Sequence, residues 1–285
     1  MDKNNIVITS HSLDEAITDF INRNKNLYKN KITIILLENL IKDYEIFDEL
    51  SDSANVIRWY DKEGRIISNK SHTLLNRVLY YPSDIYSSYN DNDKDYAQRE
   101  FESYLGFAFN SFYGVGNKDS RGICVKIISL PMQWREVRQN FNIKTPKYYW
   151  GPTELNILNE SDLLITSDIH NFINWSPGNN TTKKDNIFCF HKPVGQPVFT
   201  LTIGSKQMIT TDIVISNPLK MKICRLSAKI NLYFNYFISE ILFFVDGNNL
   251  TFACINPQVI KSKYSQVFDT FMGDNLISEF QKCIN

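Results

Sequence analysis

The sequence predicts a protein of the α+β or α/β class, with a small parallel-sheet domain followed by a mixed-sheet domain. Three observations support this prediction: a strand-helix-strand pattern over residues 5–37, alternating strands and turns in the middle, and an apolar hairpin over residues 240–257. A β-α-β start favours a parallel sheet because the crossover helix returns the chain in the same direction. We therefore expect an N-terminal α/β domain at residues 1–130 and a second domain at residues 131–285.

Composition and charge narrow the class of protein. The chain has 285 residues, of which 43% are hydrophobic, so it can bury a large core. Its 31 basic and 31 acidic residues balance, which gives no general electrostatic reason to expect nucleic acid or an anionic membrane as a partner. No apolar run approaches the roughly 18–20 residues that span a bilayer, and the first residues lack the apolar core of a signal peptide. We expect a cytoplasmic protein with no membrane partner.

The cysteines predict no disulfide framework and no zinc site. Five are spread along the chain without a CxxC pair: Cys124, Cys189, Cys224, Cys254 and Cys283. We expect reduced, mostly buried thiols. The sequence also shows no P-loop and no Ser-His-Asp order.

The N-terminal elements are predicted from apolar periodicity and from turn signals. Residues 5–9 form a strand, and Ser12 is a candidate helix N-cap because Glu15 follows three residues later, as in a capping box. The helix is expected to end near residue 24, and residues 31–37 return as a strand. The remaining elements of this domain are a hairpin across 61–64, strands at 74–81 and 123–130, and a helix at 94–112.

The second half contains more antiparallel signals. Residues 176–185 are polar and rich in turn residues, so we expect a mobile surface loop there. Strands are predicted at 187–190, 198–203 and 207–211, and helices at 133–140, 219–237 and 262–283.

The hairpin at residues 240–257 is the strongest local pattern. Two apolar strands flank Asp246 and Gly247, a dipeptide that favours a tight turn because glycine accepts positive φ. The second strand ends at Asn256, because Pro257 has no N–H for a further ladder bond. Because both strands are apolar, we expect this hairpin at the centre of the C-terminal domain and not at a solvent-exposed edge. Asn256 then lies where the strand gives way to a loop, a usual place for ligands in α/β proteins.

Several local motifs resemble the ATP-grasp family, nearest to its ligases that mature ribosomally made peptides. Residues 56–82, with Ile-Arg-Trp and Asn-Arg-Val, resemble the N-terminal domain of those ligases. Residues 131–146 resemble the linker, and residues 199–210 resemble the central hairpin. The most specific match is residues 252–257, which resemble the terminal Phe-Leu-Glu-Val-Asn-Pro signature.

The resemblance implies an ATP-dependent ligase for a peptide or small-molecule carboxylate. In that family ATP phosphorylates a carboxylate and an amine or other nucleophile attacks the acyl phosphate. Magnesium is held by an acidic residue on one strand and by a Glu and an Asn on the next, since hard oxygen ligands suit this ion. By this resemblance Glu240 and Asn256 are the metal-ligand candidates. Lys192, Arg135 and Asn256 are the candidates for contacting the nucleotide.

Departures from the family pattern leave the activity open. Cys254 stands where the family has its Glu, and a thiolate is a poor ligand for magnesium. A glycine-rich loop over the phosphates is absent, and the second domain is shorter than expected. The alternative is therefore a catalytically degenerate relative that binds a peptide or a partner protein, including a second copy of itself in a homodimer. A third reading is an unrelated α+β protein in which Asn256-Pro257 is a coincidence.

Overall fold

The computed structural model describes residues 5–28, 31–50, 55–81, 83–87, 89–115, 123–152, 164–166, 186–259 and 265–284. The loop predicted at residues 176–185 lies outside these ranges. The described helices are α1 Glu15–Arg23, α2 Lys25–Tyr28, α3 Leu37–Asp43, α4 Asp91–Ser111, α5 Leu130–Phe141, α6 Asn217–Tyr233 and α7 Ser265–Ile284. None of these combines the length and the apolar character needed to cross a bilayer.

The strands of the described ranges form four sheets. Their bounds are β1 Asn5–Ser10, β2 Ile32–Leu36, β3 Tyr44–Leu50, β4 Asn55–Asp61, β5 Ile66–Ser68, β6 His72–Asn76, β7 Tyr113–Val115, β8 Tyr148–Pro152, β9 Leu164–Thr166, β10 Asn186–His191, β11 Gln196–Ile203, β12 Lys206–Thr210, β13 Ile238–Asp246 and β14 Asn249–Asn256. The sheet orders are β2-β1-β6-β7, β3-β4-β5, β8-β10-β9 and β12-β11-β13-β14.

The first sheet is parallel throughout, which confirms the prediction from the β-α-β start. Its strands therefore end at a common edge, where Ser10 of β1 lies opposite Leu36 of β2. Helix α1 covers one face and buries Ile17 and Phe20. This edge brings together the chain segments that follow β1, β2 and β6.

One predicted strand is wrong in the N-terminal half. Residues 123–129 belong to no sheet, and the backbone bends at residues 123 and 124. They make single hydrogen bonds instead of a ladder. Val125 N donates to Val78 O at 2.6 Å, and Asn76 Nδ2 donates to Ile123 O at 2.7 Å. The strand predicted over 74–81 accordingly stops at Asn76, where β6 ends.

The predicted capping box at Ser12 is also wrong. Helix α1 begins at Glu15 with Asp14 as N-cap, and no side chain caps it. The Asp14 carboxylate is instead occupied by Ser10 and Arg77. Ser12 donates its backbone N–H to Glu38 Oε1 at 2.9 Å.

The hairpin of β13 and β14 lies in the last sheet, with a turn at Gly247 where φ is +57°. Strand β13 is internal, between β11 and β14, as the sequence predicts for the hairpin. Strand β14 is the end strand of this order, but its edge is not exposed to solvent. It is buried from Phe252 to Ile255, because α5 covers its open edge.

Helix α7 runs without interruption through Gly273 and joins the two halves of the chain. Its Phe268, Met272 and Phe280 share one core cluster with Ile6 and Ile8 of β1. The domain boundary near residue 130 stays a prediction, since this core spans both sides of it.

Candidate functional site

The end of the β13–β14 hairpin brings Glu240 and Asn256 together. The two residues are direct partners across the antiparallel ladder. Opposed residues in such a pair point to the same face, with Cβ atoms about 4.5–5.5 Å apart. The pair of candidate metal ligands predicted from the sequence is thus adjacent in the structure.

The surroundings of this pair are largely closed. Glu240 is 7% exposed, whereas Asn256 is partly exposed at the last position of β14. Asn256 Oδ1 accepts a hydrogen bond from Gln258 N at 3.0 Å, the local turn that the residue before a proline often makes. An amide oxygen has two lone pairs, so this bond leaves acceptor capacity for a cation. A carboxylate and an amide oxygen are suitable donors for a hard divalent ion.

Cys254 lies on the same face, two residues before Asn256 and opposite Leu242. It is 3% exposed and belongs to the apolar core cluster beside Leu242 and Phe252. The position that resembles the family's Glu is therefore packed as an apolar one. Within the described residues, no group of three or more His, Cys, Asp and Glu side chains could hold a metal ion.

Of the four described cysteines, Cys254 is buried, Cys124 and Cys224 are half-buried, and Cys283 is exposed. The prediction of free thiols is confirmed for these four, and the prediction of mostly buried thiols is wrong. Burial raises the pKa of the Cys124 and Cys224 thiols, which keeps them protonated.

Helix α5 fixes the strand that carries Asn256. Gln133 Nε2 donates to Ile255 O at 3.0 Å, and Ile255 N donates to Gln133 Oε1 at 2.9 Å. Trp134 Nε1 donates to Ala253 O at 2.6 Å. One side-chain amide thus replaces a missing neighbouring strand. Sequence analysis missed this role. A glutamine among the otherwise apolar buried positions of α5 indicates a buried polar contact, but it does not indicate the partner.

Arg77 fixes the loop that follows Asn256. Its guanidinium makes a two-pronged ion pair with Asp14, at 3.0 and 2.9 Å, and both side chains are buried. The same group donates to Pro257 O at 2.9 Å and to Ile238 O at 3.3 Å. The edge of the parallel sheet is thereby tied to both strands of the hairpin, next to the Glu240–Asn256 pair.

The other two predicted nucleotide contacts, Lys192 and Arg135, are exposed side chains. Lys192 lies three residues before Gly195 in the chain. Gly195 packs against the backbone of Val245, since a Cβ at Gly195 would lie 2.2 Å from the Val245 carbonyl oxygen. Val245 is five residues from Glu240 along β13, or about 17 Å. Arg135 is exposed on α5 and pairs with Glu136 at 2.7 Å. Phosphate binding by Lys192 and Arg135 stays a prediction.

The architecture is shared with known ligases. The chain is similar to the macrocyclase MdnC from Microcystis aeruginosa, which was solved with the precursor peptide MdnA. The TM-score is 0.67 at 12% identity, and the match covers 95% of this chain and 99% of MdnC. A RiPP-associated ATP-grasp ligase from Chryseobacterium gregarium, solved with ADP and with leader and core peptides, covers 98% of this chain and 97% of its own, with a TM-score of 0.66 and 11% identity. D-alanine–D-alanine ligase from Bacillus anthracis gives a TM-score of 0.55 at 12% identity over 98% and 97% of the two chains.

The chain therefore has an ATP-grasp fold, as its parallel N-terminal sheet and later antiparallel sheets also indicate. Its structural neighbours include a macrocyclase solved with a precursor peptide and a RiPP-associated ATP-grasp ligase solved with leader and core peptides. No protein-family model matches this sequence, and no curated protein matches it either.

Proposed function

We propose that this chain is an ATP-dependent carboxylate ligase of the ATP-grasp type, which acts on a peptide or an amino acid in the maturation of a peptide natural product. The observation that carries the proposal is the Glu240–Asn256 pair at the end of the hairpin in this fold. The peptides and nucleotides bound to its structural neighbours support the same ligands here. A cytoplasmic location fits the proposal because the reaction consumes ATP.

The proposed reaction has two steps. A carboxylate oxygen of the substrate forms a bond to the γ-phosphorus of ATP, and the bond to the β-phosphate breaks with its electrons on ADP. The lone pair of an amine or another nucleophile then attacks the acyl carbon. The carbon–oxygen bond to phosphate breaks, phosphate leaves, and the nucleophile loses its proton.

The residues at the strand end fit a magnesium ion in part. Glu240 and Asn256 would hold it through oxygen atoms, and it would supply neutralisation of the phosphate charge. Two protein ligands are enough for an ion that keeps several waters and binds phosphate oxygens. Lys192 and Arg135 are the proposed cations for the phosphates, and Arg135 would exchange Glu136 for that contact.

A second function is favoured by one observation, the apolar packing of Cys254. In this alternative the chain is a degenerate relative that binds a peptide or a partner protein, including a second copy of itself, without ATP chemistry. Cys254 is buried among apolar side chains and has no oxygen atom in its side chain, so the third oxygen ligand of the family, its Glu, is missing here. The peptide complexes of the neighbours are compatible with this alternative as well.

Titration calorimetry with magnesium and ATP separates the two functions. The ligase should bind ATP only with magnesium present, and Glu240→Gln should weaken binding about tenfold or more because a charged ligand is lost. Glu63→Gln, in the exposed turn between β4 and β5, is the matched control and should bind like the wild type. An absence of binding heat in the wild-type protein would remove the ligase and leave the binding module.

A further inference from the structure

A groove runs along β2, the end strand of the parallel sheet in the described part of the chain. Its volume is about 780 Å³, and every residue of β2, Ile32–Leu36, lines it. Residues of α1 and α2 also line this β2 groove, as do residues of the turn between β4 and β5. Neither Glu240 nor Asn256 is part of the lining. The β2 groove is therefore distinct from the candidate site at the end of the hairpin.

The backbone of β2 presents hydrogen-bonding groups to this groove. Ile6 N donates to Lys31 O at 2.7 Å, in a register that pairs Ile6 with Ile32. In a parallel ladder the next bonds to β1 then come from Thr33, so the N–H and C=O groups of Ile32 and Ile34 point away from β1. No backbone hydrogen bond from another described segment reaches these groups. An unpaired strand edge of this kind is a template to which an extended chain can add.

The two faces of the groove differ in chemistry, because successive side chains of a strand point to opposite sides. Ile32 belongs to the apolar cluster that contains α1, and Ile34 packs against it. Thr33 points to the other face. A smaller pocket of about 260 Å³ shares Thr33, Asp61 and Arg65 with the groove. A strand added to β2 thus meets apolar contacts on one face and polar contacts on the other, which favours a segment of alternating apolar and polar residues.

The charges around the groove favour a ligand with a carboxylate. The acidic side chains of the lining are occupied by cations of the same lining, in the pairs Lys62–Asp43, Arg65–Asp61 and Arg65–Glu63. Lys25 of the groove and Lys31 of the smaller pocket are exposed, and neither makes an ion pair with a described residue. Lys31 directly precedes β2, so two available cations lie toward the N-terminal end of this strand.

The shape of the groove argues against a second copy of this chain as the occupant. Pairing of β2 with β2 of another copy would be isologous, so each copy would have to insert its own strand between the helices and the turn of the other. The same helices and turn flank the inserted strand, and they would collide. An extended segment without such flanking elements enters the groove freely.

We propose that the β2 groove binds an extended peptide segment, which adds to the parallel sheet as an outer strand and places a carboxylate beside Lys25 and Lys31. The backbone of the segment exchanges hydrogen bonds with Ile32 and Ile34, and its apolar side chains lie beside Ile34. Binding there does not rest on the proposed ligase function, because ATP and magnesium have no part in it.

The test uses the full chain and the peptide acetyl-Glu-Thr-Val-Thr-Val-Thr-Glu-amide, which offers a carboxylate at the lysine end in either strand direction. We expect saturable binding in titration calorimetry and, by NMR, amide exchange at Ile32 and Ile34 that is at least tenfold slower with bound peptide. The amides of Thr33 and Ile35 already donate to β1 and should change little. The absence of saturable binding, or unchanged exchange at Ile32 and Ile34, would overturn the proposal.

Two methylated peptides test the backbone pairing. With the valines beside Ile34, an antiparallel strand donates to β2 from its valine amides and a parallel strand donates from its threonine amides. N-methylation of the valines or of the threonines removes one of these sets. One of the two peptides should bind at least tenfold more weakly than the parent and the other about as well. A loss in both peptides, or in neither, would contradict pairing along β2.

Charge reversal tests the carboxylate. The double variant Lys25→Glu with Lys31→Glu should bind the peptide about tenfold more weakly, whereas a peptide with Gln in place of Glu should bind this variant and the wild type equally. Lys220→Glu with Lys222→Glu, at exposed positions of α6, is the matched control and should keep the wild-type affinity. An unchanged affinity in the first double variant would refute the assignment. Slower exchange at Ile32 and Ile34 that depends on protein concentration without peptide would indicate a second copy instead and would also overturn the proposal.

Discussion

Cys254 is the residue at which the two proposed functions differ most. A ligase would tolerate a carboxylate at this position, whereas the binding module would keep it apolar. Because it packs among apolar side chains, Cys254→Glu should bury an unpaired charge and lower the free energy of unfolding by about 3 kcal/mol or more. Urea denaturation measures this loss. Cys283→Glu, at an exposed position, should stay within about 0.5 kcal/mol of the wild type. A stable Cys254→Glu protein that binds ATP and magnesium more tightly would contradict the apolar packing and support a carboxylate site.

His11 makes stability depend on pH. Burial lowers its pKa below the ordinary value of 6.5, so the unfolded chain binds more protons than the folded protein between the two values. The contribution of His11 to the free energy of unfolding should therefore be fully present above pH 6.5. It should be lost progressively as the pH falls below that value. Urea denaturation across this range should give a smaller pH dependence for His11→Gln than for the wild type.

A second variant identifies the group responsible for the pH dependence of stability that remains in His11→Gln. The pKa of His72 is lowered by burial too, so His72→Gln should remove a separate share of the slope. An unchanged slope in His11→Gln would show that the imidazole titrates freely in the folded protein.

The sequence could predict some site residues because they lie near one another in the chain. Glu240 and Asn256 flank a recognisable turn, so their pairing follows once the hairpin is in register. Gln133 and Arg77 were not predictable as site residues, since their backbone partners lie 122 and 180 residues away. No local pattern indicates which distant carbonyl a buried side chain will contact.

Helix α5 acts as the missing neighbour of β14, and this role can be tested at Gln133. Gln133→Leu should leave the Ile255 N–H and C=O without partners and cost about 1–3 kcal/mol of unfolding free energy. Thermal and urea denaturation measure the loss. Gln139→Leu makes the same substitution at an exposed position of the helix and should be nearly neutral. Equal stabilities of the two variants would show that β14 holds its place without this bond.

Elements were predictable where apolar periodicity and exposure agree. Strand β3 escaped prediction because it contains Glu45, Asp48 and Glu49 and is exposed over almost its whole length, so it carries no alternation of buried and exposed residues. It forms by pairing with β4 along seven residues. The run at residues 123–130 differs from β3 in both respects. Several of its side chains are buried, but its backbone forms no ladder with another strand.

Arg77 connects the two halves of the molecule through charge, and its removal should be costly. Arg77→Met leaves Asp14 buried without its partner, so we expect a loss of about 3–5 kcal/mol in unfolding free energy. Adding Asp14→Leu should recover much of this loss, because no buried charge remains. Urea denaturation of the two single variants and the double variant measures both effects.

The matched control for this pair is Arg23, which bridges α1 to Asp269 of α7 at 2.8 Å. Both side chains there are largely accessible, 46% and 33%, so Arg23→Met should cost no more than about 1 kcal/mol. A loss for Arg77→Met as small as that for Arg23→Met would show that the buried pair contributes no more net stability than the exposed one.

At the scale of the whole molecule, the fold class was predictable and the way the halves meet was not. The β-α-β start fixes the parallel sheet through local connections. The common core depends on contacts such as Phe20 with Phe268, whose rings lie 6.3 Å apart across most of the sequence. Apolar spacing indicates that each helix buries a face, but it does not say against which element.

The shared core of β1 and α7 sets the order of events during synthesis. Strand β1 precedes α7 by most of this sequence, and a ribosome adds about 5–20 residues per second. Ile6, Ile8 and Phe20 must therefore wait many seconds for Phe268 and Phe280 to emerge. During that interval the nascent N-terminal half displays an open apolar surface, the kind of surface that chaperones bind. Completion of this shared core is thus a late event that follows the emergence of α7 from the ribosome.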